Sequence, residues 1–158
     1  MPKLKASREA GFTLVELVVV IVILGILAAT ALPRFITVTR DARIAAVNGM
    51  AGGLRAAVAV SQARYFATGT NTSPIAMADG TSVAVGTTGA ASGVPTIAAV
   101  APLGITGAMN CESTTACNGF TVVLAAGAST FQPSGGNATC QATYNETTGA
   151  VGVATGGC

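Results

Sequence analysis

The sequence predicts an α+β chain, a long N-terminal α-helix followed by a C-terminal antiparallel β-sheet with disulfides. Three observations carry that prediction. Residues 12–32 form one apolar run, broken only by Thr13, Glu16 and Thr30. An apolar stripe at helical spacing then continues to Tyr65. After Thr68-Gly69-Thr70 the period changes to short β-rich runs separated by turn residues, and all four cysteines fall in that part.

The first element is the apolar run. Its length of about 20 residues at about 1.5 Å each matches a hydrocarbon layer of about 30 Å. Lys3, Lys5 and Arg8 precede it, which places the leader on the cytoplasmic side of a membrane anchor. An ordinary secretory signal would instead be cut after Ala29-Thr30-Ala31, leaving a chain that begins at Leu32. Glu16 argues for the anchor. A removable signal has no use for a carboxylate in its apolar region, where an ionised side chain costs roughly 2.5–3.5 kcal/mol. Such a group calls for a partner. Cleavage between Gly11 and Phe12 would supply one, because the new α-amino group of Phe12 lies about one helical turn from Glu16.

The second element continues the helix. Ile44, Val47, Ala51, Leu54, Val58, Ser61 and Tyr65 alternate steps of three and four, one stripe along one face. Arg40, Arg43, Arg55 and Arg64 are mostly off it. A near-continuous helix is expected from about Phe12 to Phe66, roughly 80 Å long at 1.5 Å per residue. Gly25 and Pro33 are its weak points, since proline removes a backbone donor and clashes with the preceding turn. Gly49, Gly52 and Gly53 each cost about 1 kcal/mol relative to alanine, so close packing is expected at all three.

The third element is the sheet. Ile75–Ala78 and Thr81–Val85 are expected to form a hairpin over a two-residue primed turn at Asp79-Gly80. Phe120–Ala125 reads as a strand. Thr139–Tyr144 and Ala150–Ala154 read as a closing hairpin, and residues 86–95 and 129–137 as loops. The boundaries that follow are 1–11 for a leader, 12–33 for the apolar helix, 34–66 for the amphipathic helix and 67–158 for a globular head.

Composition excludes several functions. No histidine is present, no nucleophile-elbow motif occurs and no carboxylates are paired, so catalysis is not expected and no cofactor is implied. Beyond Arg64 there is no Lys or Arg, only Asp79, Glu112 and Glu146. The head therefore lacks a phosphate-binding patch and direct nucleic-acid binding by it is not expected. Without histidine or a C-x-x-C pair, a metal site is not expected either. Cys111, Cys117, Cys140 and Cys158, behind an apolar segment, point to two disulfides in an oxidising compartment. Three pairings are open; the preferred one joins Cys111 to Cys117 and Cys140 to Cys158, each closing a local loop. Asn71, Asn137 and Asn145 stand in N-x-[ST] sequons, which a threonine-rich chain produces by chance.

The string Gly11-Phe12-Thr13-Leu14-Val15-Glu16, with the apolar run and Pro33 after it, resembles a type IV prepilin of the IVa kind. The resemblance implies cleavage after Gly11 by a prepilin peptidase, methylation of Phe12, and an apolar helix that stays to become a filament core. It implies identical subunits and the inner-membrane pilus assembly machinery as partners, with Glu16 meeting the Phe12 amine of a neighbour during assembly. It also implies a ladle of helix and β head, unwinding between Gly25 and Pro33 in the fibre, and a path from inner membrane to extracellular filament. Met77 through Gly86, and Cys140-Gln141-Ala142-Thr143-Tyr144 through Gly157-Cys158, are similar to mannose-sensitive haemagglutinin pilins. That likeness implies a Cys140–Cys158 bridge. The expected function is a pilus subunit for adhesion or surface motility. The alternatives are a pseudopilin of a type II secretion system, disfavoured by too few acidic residues for a calcium loop, and a Sec-secreted disulfide-bonded binding protein.

Overall fold

The computed structural model describes residues 11–98, 100–101 and 103–158, and of residues 32–36 the backbone alone. The basic residues Lys3, Lys5 and Arg8, and most of the expected leader, lie outside the described residues. Helix α1 spans Leu14–Thr68 and runs unbroken through Gly25 and Pro33. The chain divides into two compact units between Thr39 and Arg40.

In the first unit no residue of the apolar window Leu14–Ala31 is buried. Capping explains where the helix starts. Thr13 stands just before Leu14, and its hydroxyl accepts from the Glu16 backbone N–H at 3.2 Å. The helix therefore begins two residues later than Phe12, because Thr13 is the N-cap.

In the second unit the remainder of α1 presents the expected stripe to the core. Val47, Ala51, Leu54 and Ser61 are fully buried, with Val58 and Tyr65 nearly so. Met50 and Ala57 widen the stripe to a band. Each fully buried Leu or Val contributes about 1.5–3 kcal/mol. Within the single chain, one of the three glycines has the close packing expected of it. A Cβ at Gly49 or Gly52 would meet nothing within 4 Å, and only Gly53 is packed, against the Met109 Cε at 3.1 Å.

The first hairpin pairs β1 (Ile75–Ala76) with β2 (Ser82–Val83). The expected two-residue turn is a three-residue one. Met77 N–H donates to Thr81 O at 2.8 Å and Gly80 N–H to Met77 O at 3.1 Å. Gly80 takes φ +85°. This is the bulged loop in which a left-handed residue follows a type I turn. Asp79 supports it by accepting from the Thr81 N–H at 2.9 Å.

The main sheet runs in the order β3-β4-β5-β6-β7, all antiparallel. Its strands are β3 (Ala116–Cys117), β4 (Phe120–Ala125), β5 (Ala128–Pro133), β6 (Gln141–Asn145) and β7 (Val151–Ala154). β4 and the closing pair β6–β7 stand where expected. β5 occupies part of what the sequence presented as a loop at 129–137. It forms because Ser129 and Phe131 alternate inward against Leu124 and Val122. Pro133 lies past Phe131, the last β5 residue paired with β6, so its missing donor breaks no bond there. β3 and β4 are joined by Asn118-Gly119, both at positive φ (51° and 81°), the two-residue turn whose twist suits a hairpin. A four-residue helix, α2 (Ile105–Ala108), was also not anticipated.

The buried sheet face, Phe120, Val122, Phe131, Ala142 and Tyr144, packs with Val47, Met50, Leu54 and Val58 of α1 in one core. Tyr65, Ile75, Val83 and Val85 form a second cluster. Three arginines that flank the α1 stripe tie helix to head through carbonyls. Arg43 Nη1 donates to Cys158 O at 3.3 Å, Arg55 Nη2 to Val151 O at 3.2 Å and Arg64 Nε to Ala76 O at 2.9 Å.

Candidate assembly site at the N-terminus

The residues singled out by sequence lie together at the start of α1. Gly11, Phe12 and Glu16 are exposed, Phe12 at 93%. Glu16 has a local role that sequence reasoning missed. Its Oε2 accepts from the Thr13 N–H at 3.1 Å and from the Thr13 hydroxyl at 2.9 Å. With the Glu16 N–H donating back to Thr13 Oγ1, this is a reciprocal capping box. The signal is present in the sequence as Thr13-Leu14-Val15-Glu16 before an apolar run, where the more conspicuous charge hides it. A carboxylate in the first turn also suits the positive end of the helix dipole.

The arrangement leaves chemistry for a second molecule. Both capping bonds use Oε2, and among the described residues Oε1 has no donor. The bare Leu14–Ala31 surface beside it consists largely of Leu, Ile and Val with Gly25 among them.

In the head the disulfides are Cys111–Cys117 and Cys140–Cys158, closing six- and 18-residue separations. Cys117 and Cys140 are fully buried. The head's three carboxylates all accept from backbone N–H groups. Glu146 joins two loops, Oε2 taking Ile97 N–H at 2.7 Å and Oε1 taking Gly127 N–H at 3.1 Å. Glu112 takes Asn118 N–H at 2.8 Å. Asp79 is held below its ordinary pKa by the hydroxyl and N–H of Thr81. Tyr144 is driven well above the ordinary phenol range by burial and by the Glu146 carboxylate. Its hydroxyl donates to Pro95 O. The sequon side chains Asn137 and Asn145 serve local turns, accepting from the N–H of Thr139 and Thr147.

Among the described residues no group of His, Cys, Asp and Glu could hold a metal ion.

Comparison with known proteins bears on the same segment. Residues 6–32 match the family described as the Prokaryotic N-terminal methylation motif. The chain is 50% identical over 54 residues to the "Type IV narrow pilus major component PilA5" of Thermus thermophilus, covering 34% of this chain and 47% of that protein. It is 37% identical over 88 residues to a "Fimbrial protein" of Moraxella nonliquefaciens, covering 54% of each. The chain thus spans about half the length of the curated relatives it matches. No solved structure matches. The chain is thus similar over residues 6–32 to the methylation-motif family, and over part of its length to a type IV pilus component and a fimbrial protein.

Proposed function

We propose that the chain is the structural subunit of a type IV pilus, cut after Gly11 by a prepilin peptidase and methylated at Phe12. It then polymerises with identical subunits through α1, drawn from the inner membrane by the pilus assembly machinery into an extracellular fibre for adhesion or surface motility. Residues 12–33 are the filament core, 34–66 the amphipathic continuation and 67–158 the head. Stretching of the fibre is taken up between Gly25 and Pro33. One observation carries the reading: an 18-residue apolar helical window with no residue buried, and a single carboxylate in its first turn. In a bilayer an unpaired Glu16 and an unpaired Phe12 amine are both costly. A neighbour whose amine reaches Oε1 relieves both while its helix covers the apolar surface, so the charge pair sets the axial step.

The capping box dictates the test. Glu16→Gln keeps an oxygen for the Thr13 donors and removes the charge. Thr13→Ala removes the cap and keeps the charge. Filaments counted by electron microscopy on expressing cells should be few or absent with Glu16→Gln and present with Thr13→Ala, both variants still being cut after Gly11. Normal filament numbers with Glu16→Gln would refute the latch. The pseudopilin and Sec-secreted readings are separated from this one by the N-terminal residue and by long surface filaments.

A further inference from the structure

We infer that the Asn118-Gly119 turn is the site of a spontaneous covalent modification of the head, in which Asn118 loses its side-chain amide and becomes an aspartyl or isoaspartyl residue. The reaction needs a side-chain amide or carboxyl carbon and, in the next residue, a backbone nitrogen free to attack it. Glycine shields that nitrogen least. Three pairs have this make-up, Asn48-Gly49, Asp79-Gly80 and Asn118-Gly119. The structure separates them by what holds the nucleophile. The Gly49 N–H lies inside α1 and serves the hydrogen-bond ladder of the helix. The Gly80 N–H donates to Met77 O at 3.1 Å, and the Asp79 carboxyl is kept ionised, hence a poor electrophile, by the hydroxyl and N–H of Thr81. The Gly119 N–H has no acceptor among the described residues. Asn118 and Gly119 are both exposed, and a Cβ built on Gly119 would meet nothing within 4 Å. The turn closes β3, an edge strand of two residues, so opening it disturbs only that edge.

With the turn open, the Gly119 nitrogen gives its proton to hydroxide and bonds to Asn118 Cγ. The Cγ–Nδ2 bond breaks, ammonia leaves, and the product is a cyclic succinimide. Water then opens the ring at either carbonyl. The net change is amide plus water to carboxylate plus ammonium, with no oxidant or reductant. Glu112, which accepts the Asn118 N–H at 2.8 Å, then holds a residue that carries a carboxylate of its own. The isoaspartyl product runs the chain through the former side chain and adds a backbone carbon. The pairing of Cys117 with Phe120 across the turn has room for two ordinary residues only. Modification thus charges the turn and loosens β3 as the molecule ages.

The full chain in detergent, aged in heavy-oxygen water at neutral and mildly alkaline pH, is digested and read by mass spectrometry. In the folded chain the label should enter residue 118 about tenfold or more faster than residue 48, because a turn of α1 costs more to open than an edge turn. The rate at 118 should rise with pH. In denaturant the two Asn-Gly pairs should react alike. Asn118→Gly keeps a pair suited to the turn and should take up no label there. The Val122 N–H, which donates to Thr115 O at 2.8 Å, should exchange its hydrogen faster in the separated isoaspartyl form than in Asn118→Asp. Equal rates at 48 and 118 in the folded chain, no label at 118 while the denatured chain takes it up, or a rate indifferent to pH would each overturn the inference. Unchanged Val122 exchange in the isoaspartyl form would overturn the loosening of β3. None of these outcomes bears on the pilus reading, which filament counts decide separately.

Discussion

Removing one hydroxyl from Tyr144 tests the core and its proton chemistry together. The ring is 1% exposed, and its hydroxyl donates to the carbonyl of Pro95, itself fully buried. Tyr144→Phe leaves that carbonyl without its donor and out of reach of water, a cost of about 1–3 kcal/mol at neutral pH. The alkaline limb works in the opposite sense. In the folded chain the phenol pKa is raised, so above the ordinary value of 10.0 the unfolded chain releases a proton that the folded chain retains. Stability from this group is therefore complete below pH 10 and is lost as pH rises, by about 1.4 kcal/mol per unit. The variant has no such loss. Guanidinium midpoints of the full chain in detergent, at pH 7 and pH 11, should show the gap between parent and variant shrinking by about 1.4 kcal/mol. With no free cysteine among the described residues, disulfide exchange does not confuse the comparison. A gap of the same size at both pH values would refute the assignment of the raised pKa to Tyr144.

Cys140→Ser should cost more than Cys117→Ser, about 3 against about 2 kcal/mol from the loops they open, and equal midpoints would contradict this. Leu54→Ala, at a fully buried position between helix and sheet, should lower stability by about 2–5 kcal/mol in the same assay. Gly104→Ala should prevent accumulation of folded protein, because the new Cβ would stand 1.7 Å from the Thr96 carbonyl oxygen. Gly49→Ala, with open space around the added carbon, should instead stabilise the isolated subunit by about 1 kcal/mol; a loss would mean that the glycine is needed within the subunit.

Helix α1 was legible because a single period runs through it, and Val47, Ala51, Leu54 and Ser61 can be assigned to one face without knowing what covers them. β4 was legible as a run of β-branched residues. β5 was not, since Ser, Thr, Gln and Pro at 129–133 have turn-forming composition. Only the pairing partners on both sides, Leu124 and Tyr144 across from Ser129, turn it into a strand. The Asn118-Gly119 turn and the Thr13–Glu16 box were present in the sequence as local signals and went unread. Glu146 could not have been identified as a clamp, because the backbone donors it joins, Ile97 and Gly127, lie 49 and 19 residues away. The same holds for the Tyr144–Pro95 bond.

Three arginines of α1 and the three carboxylates of the head have a consequence for the salt conditions this fold tolerates. Arg43, Arg55 and Arg64 end on carbonyl oxygens, and Asp79, Glu112 and Glu146 on amide hydrogens. Contacts between a full charge and a backbone dipole, made at 2.7–3.3 Å, act over a range shorter than the roughly 8–10 Å at which dissolved salt screens charges. Brine and fresh water should therefore hold the head equally well. A fold tied in this way carries its tolerance of salinity within the subunit.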